Sequence, residues 1–446
     1  MDIGAFEFDQ DSLSVGFSAD RTESTAPFAV TFTAEPTGAS GLVTYRWDVD
    51  GDGTYDLTSN TATASHTYTS PGIYTVTVRA EDSSGAATFT RTDYIRCVPA
   101  DLYVSAGNAG AAWPYDTQAT AAATLADAVA AAGNGSAVHV LPGTYTVSAT
   151  VRISSAVALS GTTGVPEDVV VDGRNSVRGF ILDNAGARLE SITVQNCRTT
   201  TEAEAQGGLV AVYAGGGTVS NCVLRGGSAA SYWASAGGVD IRSPNGLVTH
   251  CVITNCTTGA NNENNGCAAV MIRAGGRLEN CLVAHNHSKE GRAAVGFYGS
   301  VGGSVANCTI IDNSAKELAG ISLSSTGYAT NCVMVENYAT QGGGTAEDPL
   351  PVLSPFSGTA ANAVACATDG DAPVNGACFT GTPESLFRNY AGGDYRASFS
   401  GALYDAGVAP ASVPSVDLAG RGRVQGSRID IGAYEAPSMF TTLLFR

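Results

Sequence analysis

Val219-Ser220-Asn221-Cys222, Val248-Thr249-His250-Cys251, Leu278-Glu279-Asn280-Cys281, Val305-Ala306-Asn307-Cys308 and Ala329-Thr330-Asn331-Cys332 are versions of one tetrad. Leu189-Glu190-Ser191-Ile192 precedes them in phase, and the last residues of the series lie 30, 29, 30, 27 and 24 residues apart. Five residues after each tetrad stand Cys197, Gly227, Cys256, Asn286, Asn313 and Asn337. A period of this length with variable spacing suits one turn of a solenoid whose loops accept insertions. Successive turns stack at about 4.8 Å. Ile192, Cys222, Cys251, Cys281, Cys308 and Cys332 then form an inward column, where cysteine serves as a compact hydrophobe. Asn286, Asn313 and Asn337 form an amide ladder at a corner, satisfying turn carbonyls that sheet pairing does not reach.

A second register precedes each tetrad: Phe180-Ile181-Leu182-Asp183, Val210-Ala211-Val212-Tyr213, Val239-Asp240-Ile241-Arg242, Val270-Met271-Ile272-Arg273, Val295-Gly296-Phe297-Tyr298 and Ile321-Ser322-Leu323-Ser324. Alternation predicts the first and third residues inside and the second and fourth outside. The outer face then carries a stripe of Asp183, Tyr213, Arg242, Arg273, Tyr298 and Ser324, with Asp240 beside it. Longer loops add Tyr232 and Trp233, the asparagine-rich Asn261-Asn262-Glu263-Asn264-Asn265, and Glu290. Aromatic rings, guanidinium groups and amides on a flat face suit a sugar chain. Tyr213, Tyr232, Trp233, Arg242, Arg273 and Tyr298 are the candidate ligand-binding residues, and a solvated face of self-paired strands is the plain alternative.

On the N-terminal side, Thr124 to Ala132 reads as a helix stopped by Gly133 or Gly135, and Val138 to Tyr145 returns to strand. That order resembles the start of secreted pectin-lyase-like β-helices, in which a helix covers the open end of the coil. Toward the other end come Glu384-Ser385-Leu386-Phe387, Gly393-Asp394-Tyr395-Arg396, Tyr404-Asp405-Ala406-Gly407, Asp417-Leu418-Ala419-Gly420-Arg421 and Ile429-Asp430-Ile431-Gly432-Ala433-Tyr434-Glu435. This series resembles the C-terminal portion of bacterial surface β-helix proteins of the choice-of-anchor type. The resemblance implies secretion or surface display and no catalytic activity.

Residues 11–98 have a different texture. Short alternating runs, Phe28 to Phe32, Val43 to Trp47 and Tyr74 to Val78, separated by turn residues such as Ser70-Pro71-Gly72, argue for a β-sandwich. Tyr45-Arg46-Trp47-Asp48-Val49-Asp50-Gly51-Asp52-Gly53, then His66-Thr67-Tyr68, then Pro71-Gly72-Ile73-Tyr74 resembles a PKD domain. That implies an immunoglobulin-like spacer of secreted and cell-surface proteins, with Trp47 in its core. Asp48, Asp50, Asp52 and Asp56 have the oxygen spacing of the first half of a calcium loop, though Ser59 stands where an EF-hand wants glutamate. Calcium is thus the one cofactor suggested, against the alternative of a solvated acidic hairpin.

Asp2-Ile3-Gly4-Ala5-Phe6-Glu7 is almost repeated as Asp430-Ile431-Gly432-Ala433-Tyr434-Glu435. The expected organisation is a closing segment of a preceding module (1–10), the sandwich (11–98), the β-helix (99–435) and a tail (436–446). On this reading the chain is a piece of a longer repeat protein. The fold class expected is all-β, a right-handed parallel β-helix preceded by an immunoglobulin-like sandwich.

Composition narrows the function. Only 14% of the 446 residues are charged, against about 25% in ordinary chains, and the net charge is −18. That balance repels a polyanion, so no nucleic-acid partner is expected. No apolar run of about 18 residues occurs, so no membrane span is expected either. The eleven cysteines contain no CxxC pair and read as structural. Cys366 and Cys378 sit in a Gly/Asp/Pro-rich stretch apart from the ladder, so a disulfide between them is expected, which needs an oxidising compartment.

The function predicted is a non-catalytic structural or adhesive segment, extracellular or at the cell surface, that contacts a polysaccharide or glycan on the coil face. A competing reading is a polysaccharide lyase or glycoside hydrolase using Asp240, Arg242, Arg273, Glu263 and Glu290. Paired carboxyls across a scissile bond are what a hydrolase requires. A third is self-association, or association with neighbouring β-helix modules, into a filament or stalk.

Overall fold

A computed structural model describes residues 12–199, 207–229, 236–258, 266–289, 291, 294–299, 302–316, 318–339, 352–353, 356–357, 362–369, 379–399, 401–409 and 415–437. The chain forms two compact units. One comprises residues up to Leu102 with Gly110–Ala121 and Ala130–Ala137; the other comprises Tyr103–Ala109, Ala122–Val129 and Val138 onward. The division is therefore interleaved, where the sequence suggests a single boundary at 98.

The first unit is a β-sandwich. One sheet pairs β1 (Ser14–Ala19), β3 (Phe28–Thr37) and β6 (Thr63–Tyr68). The other orders β2 (Glu23–Thr25), β8 (Gly85–Val98), β7 (Gly72–Asp82), β4 (Thr44–Asp48) and β5 (Leu57–Ser59) as β2-β8-β7-β4-β5. Strict alternation in β3 turns Phe28, Val30, Phe32 and Ala34 inward. Trp47 is wholly buried, stacked on Phe32 with ring centroids 5.4 Å apart and edge-on to Phe17 at 5.4 Å. Such aromatic pairs contribute about 0.5–1.5 kcal/mol each beyond their buried area. The core role expected of Trp47 is observed.

The second unit is a parallel β-helix. One coil runs Arg188–Glu190, Thr193–Gln195, Arg198–Thr199, then Val210–Val212 in the fourth sheet before the next coil begins at Gly217. Among the described residues, repetition stacks these strands into parallel sheets of 10, 10, 7 and 8 strands, apart from one antiparallel pair, Tyr338–Ala339 with Val352–Leu353. Leu189 lies over Val219 and Val194 over Leu224, so like residues stack through the core. Thr124 begins the helix Leu125–Ala131, its hydroxyl accepting from Asp127 N at 3.1 Å as an N-cap does.

The corner before each inward cysteine turns on a single left-handed residue. In the tetrads these are Asn221, His250, Asn280, Asn307 and Asn331, with φ between 49° and 53°. Asparagine tolerates this region better than other residues bearing a Cβ, which is why Asn-Cys recurs. The thiols that follow are buried and bond to carbonyls; Cys308 Sγ, for instance, lies 3.2 Å from Ala306 O and 3.7 Å from Leu278 O.

The amide ladder forms as the spacing predicts. Asn286 Nδ2 donates to Asn313 Oδ1 and Asn313 Nδ2 to Asn337 Oδ1, both at 2.9 Å. The backbone N–H of Cys256 closes the free end on Asn286 Oδ1.

Cys366 corrects the reading that put it outside the ladder. Ala363 and Val364 pair with Ala329 and Thr330, and Ala367 with Val333, so Cys366 is the next rung above Cys332. It is a free thiol, 1% exposed, directed at Ala329 O and Val364 O. The insertion between the two coils hides this register. Cys378, its expected disulfide partner, lies outside the described residues.

Candidate functional site

The stripe exists as a column on the fourth sheet. Its rungs are fixed by backbone bonds at the strand ends: Tyr213 N to Leu182 O (2.8 Å), Arg242 N to Val212 O (2.8 Å), Arg273 N to Ile241 O (2.7 Å) and Tyr298 N to Ile272 O (3.0 Å). Asp183 extends the column below, its carboxylate paired with Arg152 and accepting from Gly215 N at 3.0 Å.

Guanidinium groups lie over the tyrosines. Arg273 stands 4.6 Å from the Tyr298 ring centroid, while Arg152 and Arg242 stand 5.4 and 5.9 Å from that of Tyr213. Each such contact stabilises by about 0.5–1 kcal/mol at exposed sites. Tyr298 is 41% exposed and offers the largest open aromatic surface in the column.

Asp240 departs from expectation. It points outward by alternation, as predicted, yet it is wholly buried. Chain preceding the strands packs over this face: Ala236, Cys267 and Leu318 bury Met271, the rung above Asp240. The backbone at Gly207 comes so close that an added Cβ would stand 3.0 Å from Asp240 N. The Asp240 carboxylate accepts from Arg273 Nε at 3.0 and 3.2 Å and lies 3.6 Å from Arg242 Nε. Burial raises its pKa above the ordinary range, against the opposing pull of Arg273 and Arg242. A carboxylate so placed holds two arginines in position, buried beneath the face where the sequence sets it beside the open stripe.

Sequence reasoning missed two arginines. Arg152 sits at the second position of Val151-Arg152-Ile153, directly under Ile181, a register that the strand pattern could have revealed. Arg178 is 4% exposed and donates through Nε to Gly207 O at 3.1 Å; its sequence carries no comparable sign. Tyr232, Trp233, Glu263 and Glu290 lie outside the described residues.

In the sandwich, carboxylate oxygens of Asp48, Asp50 and Asp56 come within 4.8 Å of one another. Asp48 accepts from Gly51 N and Gly53 N, and Asp56 from Val49 N, so backbone amides hold these two carboxylates. Asp52 caps Thr54 N instead of joining the other three. Three of the four expected ligands are thus brought together.

Residues 14–97 match the PKD domain family, and residues 178–350 match the right-handed β-helix region family. The chain therefore carries a PKD domain followed by a right-handed β-helix. The solved structure of pectate lyase Pel9A aligns with 76% of this chain and 97% of its own length, at a TM-score of 0.45 and 12% identity. No curated protein matches the chain in sequence. Among the described residues no helix is long and apolar enough to cross a membrane. These two domain types fit a surface or structural role.

Proposed function

We propose that this chain, a PKD domain followed by a β-helix, is a structural and adhesive segment of an extracellular protein, and that its arginine–tyrosine column contacts glycan. The observation that carries this reading is the in-register column Tyr213, Arg242, Arg273 and Tyr298, whose central carboxylate is buried beneath the arginines. Parallel strands set these groups about 4.8 Å apart, so a polymer meets a repeated donor surface. Side chains held by ion pairs and ring contacts lose little entropy on binding, which favours a rigid ligand such as a polysaccharide. The buried inward columns make the β-helix a stiff scaffold that presents this face.

The test is binding and turnover on one panel of neutral, uronate-containing and sulfated polysaccharides, with calcium and then with chelator. Retention is expected on at least one polymer without new reducing ends or unsaturated products. Arg242→Ala and Tyr298→Ala are expected to weaken that retention at least fivefold. Turnover by the wild-type chain that Arg242→Ala abolishes would replace this reading with an enzyme.

A further inference from the structure

The segment Ile429 to Ala436 closes the β-helix unit by a set of narrow requirements. Ile431 N donates to Leu403 O at 3.0 Å, Gly432 N to Asn331 O at 2.8 Å and Ala433 N to Thr309 Oγ1 at 3.0 Å. Gly432 has φ 108°, and a Cβ there would stand 2.9 Å from Thr309 Oγ1, so only glycine fits. Ile431 and Ala433 are buried, at 2% and 0% exposure.

The acids are equally constrained. Asp430 accepts from Asp405 N and Ala436 N, at 2.8 and 2.7 Å. Glu435 accepts from Asp430 N and lies 3.0 Å from Nη1 of Arg423, itself 2% exposed. Tyr434 is partly exposed and carries no such constraint.

Asp2-Ile3-Gly4-Ala5-Phe6-Glu7 reproduces every constrained position, and its one substitution falls on the unconstrained Tyr434. Met1 supplies the apolar residue that Ile429 provides. The agreement ends at Phe8, which corresponds to Ala436, a residue with 0% exposure. Residues 1–11 lie outside the described residues.

We infer that residues 1–7 are a second clasp segment, able to occupy in another copy of this chain the groove that residues 429–435 fill. Glu7 would face Arg423, Gly4 would pass Thr309, and Ile3 and Ala5 would take the two buried apolar sites. The exchange joins copies through the same bonds that close one copy, so it adds no new surface.

The test uses the full chain carrying Glu435→Ala and a fluorescent peptide of residues 1–7 with a C-terminal amide. The amide supplies the N–H that Ala436 gives to Asp430, and it omits Phe8. Anisotropy should show the peptide binding the variant at least tenfold more tightly than the wild-type chain, whose own clasp competes. Gly4→Ala or Asp2→Ala in the peptide should weaken binding at least tenfold. Absence of binding, or binding indifferent to Gly4→Ala, overturns the inference.

If the Glu435→Ala chain loses its β-sheet circular dichroism, Gly432→Ala takes its place. If both do, sedimentation of the wild-type chain at rising concentration decides. Association abolished by deleting residues 1–8 supports exchange, and a monomer throughout refutes it.

Discussion

Replacing Asn313 by alanine removes the centre of the amide ladder, and the structure sets the size of the loss. The side chain is wholly buried. Its Nδ2 donates to Val283 O and Ile311 O at 3.0 Å and to Asn337 Oδ1 at 2.9 Å. Its Oδ1 accepts from Asn286 N at 3.0 Å and Asn286 Nδ2 at 2.9 Å. Alanine leaves the Asn286 N–H without this acceptor, a cost of about 1–3 kcal/mol, and two carbonyls lose a donor at about 1 kcal/mol each. The expected destabilisation is therefore about 3–5 kcal/mol, a large share of the roughly 5–15 kcal/mol typical of a folded domain. Asn313→Asp should be worse at neutral pH, because an acceptor-only carboxylate would face two carbonyls. It should recover as acid protonates that group, whereas Asn313→Ala should not. Asn255 is the control: it holds φ 54° at an exposed corner, so Asn255→Gly should change stability by less than about 0.5 kcal/mol. Urea denaturation followed by circular dichroism at pH 5 and pH 8 measures all three. An Asn313→Ala loss below about 1 kcal/mol, or an Asn313→Asp variant indifferent to pH, would refute the ladder as a source of stability.

Ten cysteines among the described residues are free and buried, and burial pushes the Cys197 and Cys256 thiols up to about 12. Leaving Cys378 aside, a thiol reagent should label the native chain hardly at all and all ten in denaturant; rapid native labelling of several would contradict the column. Gly296→Ala should cost about 1–3 kcal/mol, because its Cβ would stand 2.3 Å from Cys267 Sγ, and Cys267→Ala in the same chain should restore most of it. Burial raises Glu435 to about 8 and Asp430 to about 6. Raised acids bind protons more tightly in the folded state, so their contribution is fully present below the ordinary carboxyl range and lost as pH climbs through 6 and then 8. Hydrogen exchange at Ala436 and Asp405 should accelerate across that interval, and Glu435→Gln should remove its upper part; flat protection would refute the assignment.

The columns were legible because a period survives loop insertion: Cys222 to Cys332 and Asn286 to Asn337 keep their order while loop lengths vary. Cys366 escapes that reading because a longer insertion precedes its coil and the coil also lacks the preceding asparagine; Ala365 takes the left-handed corner at φ 51°. Asp240 shows a different limit. Alternation tells which way a side chain points, and it does not tell what lies above it. Gly207-Gly208 and Gly237-Gly238 were the available sign, since an added Cβ on Gly208 would stand 2.4 Å from Gly237 O. Such close backbone approach is a common reason for paired glycines. The acidic residues of the clasp are visible as a motif, but Arg423 lies two residues past the Asp417–Arg421 stretch, and a sequence does not reveal that it is buried together with Glu435.

Asp240 also determines what mutagenesis of the stripe can show. Arg242 and Arg273 occupy neighbouring rungs, and two like charges about 5 Å apart repel by about 3 kcal/mol at an effective dielectric of 20. The shared carboxylate offsets that repulsion and aims both side chains. Asp240→Asn therefore releases two guanidinium groups at once and, on the proposed reading, should weaken glycan retention although the carboxylate is itself buried beneath them. An effect of Asp240→Asn is consequently no argument for catalysis. The informative contrast is Tyr298→Ala, which removes the ring beneath Arg273 but leaves the ion pairs of Asp240 with Arg242 and Arg273 in place. If retention falls with Tyr298→Ala while the unfolding transition stays in place, the column itself is the binding surface. If only Asp240→Asn and the arginine variants reduce it, and stability falls in parallel, the column is a charge lattice that holds the sheet face together.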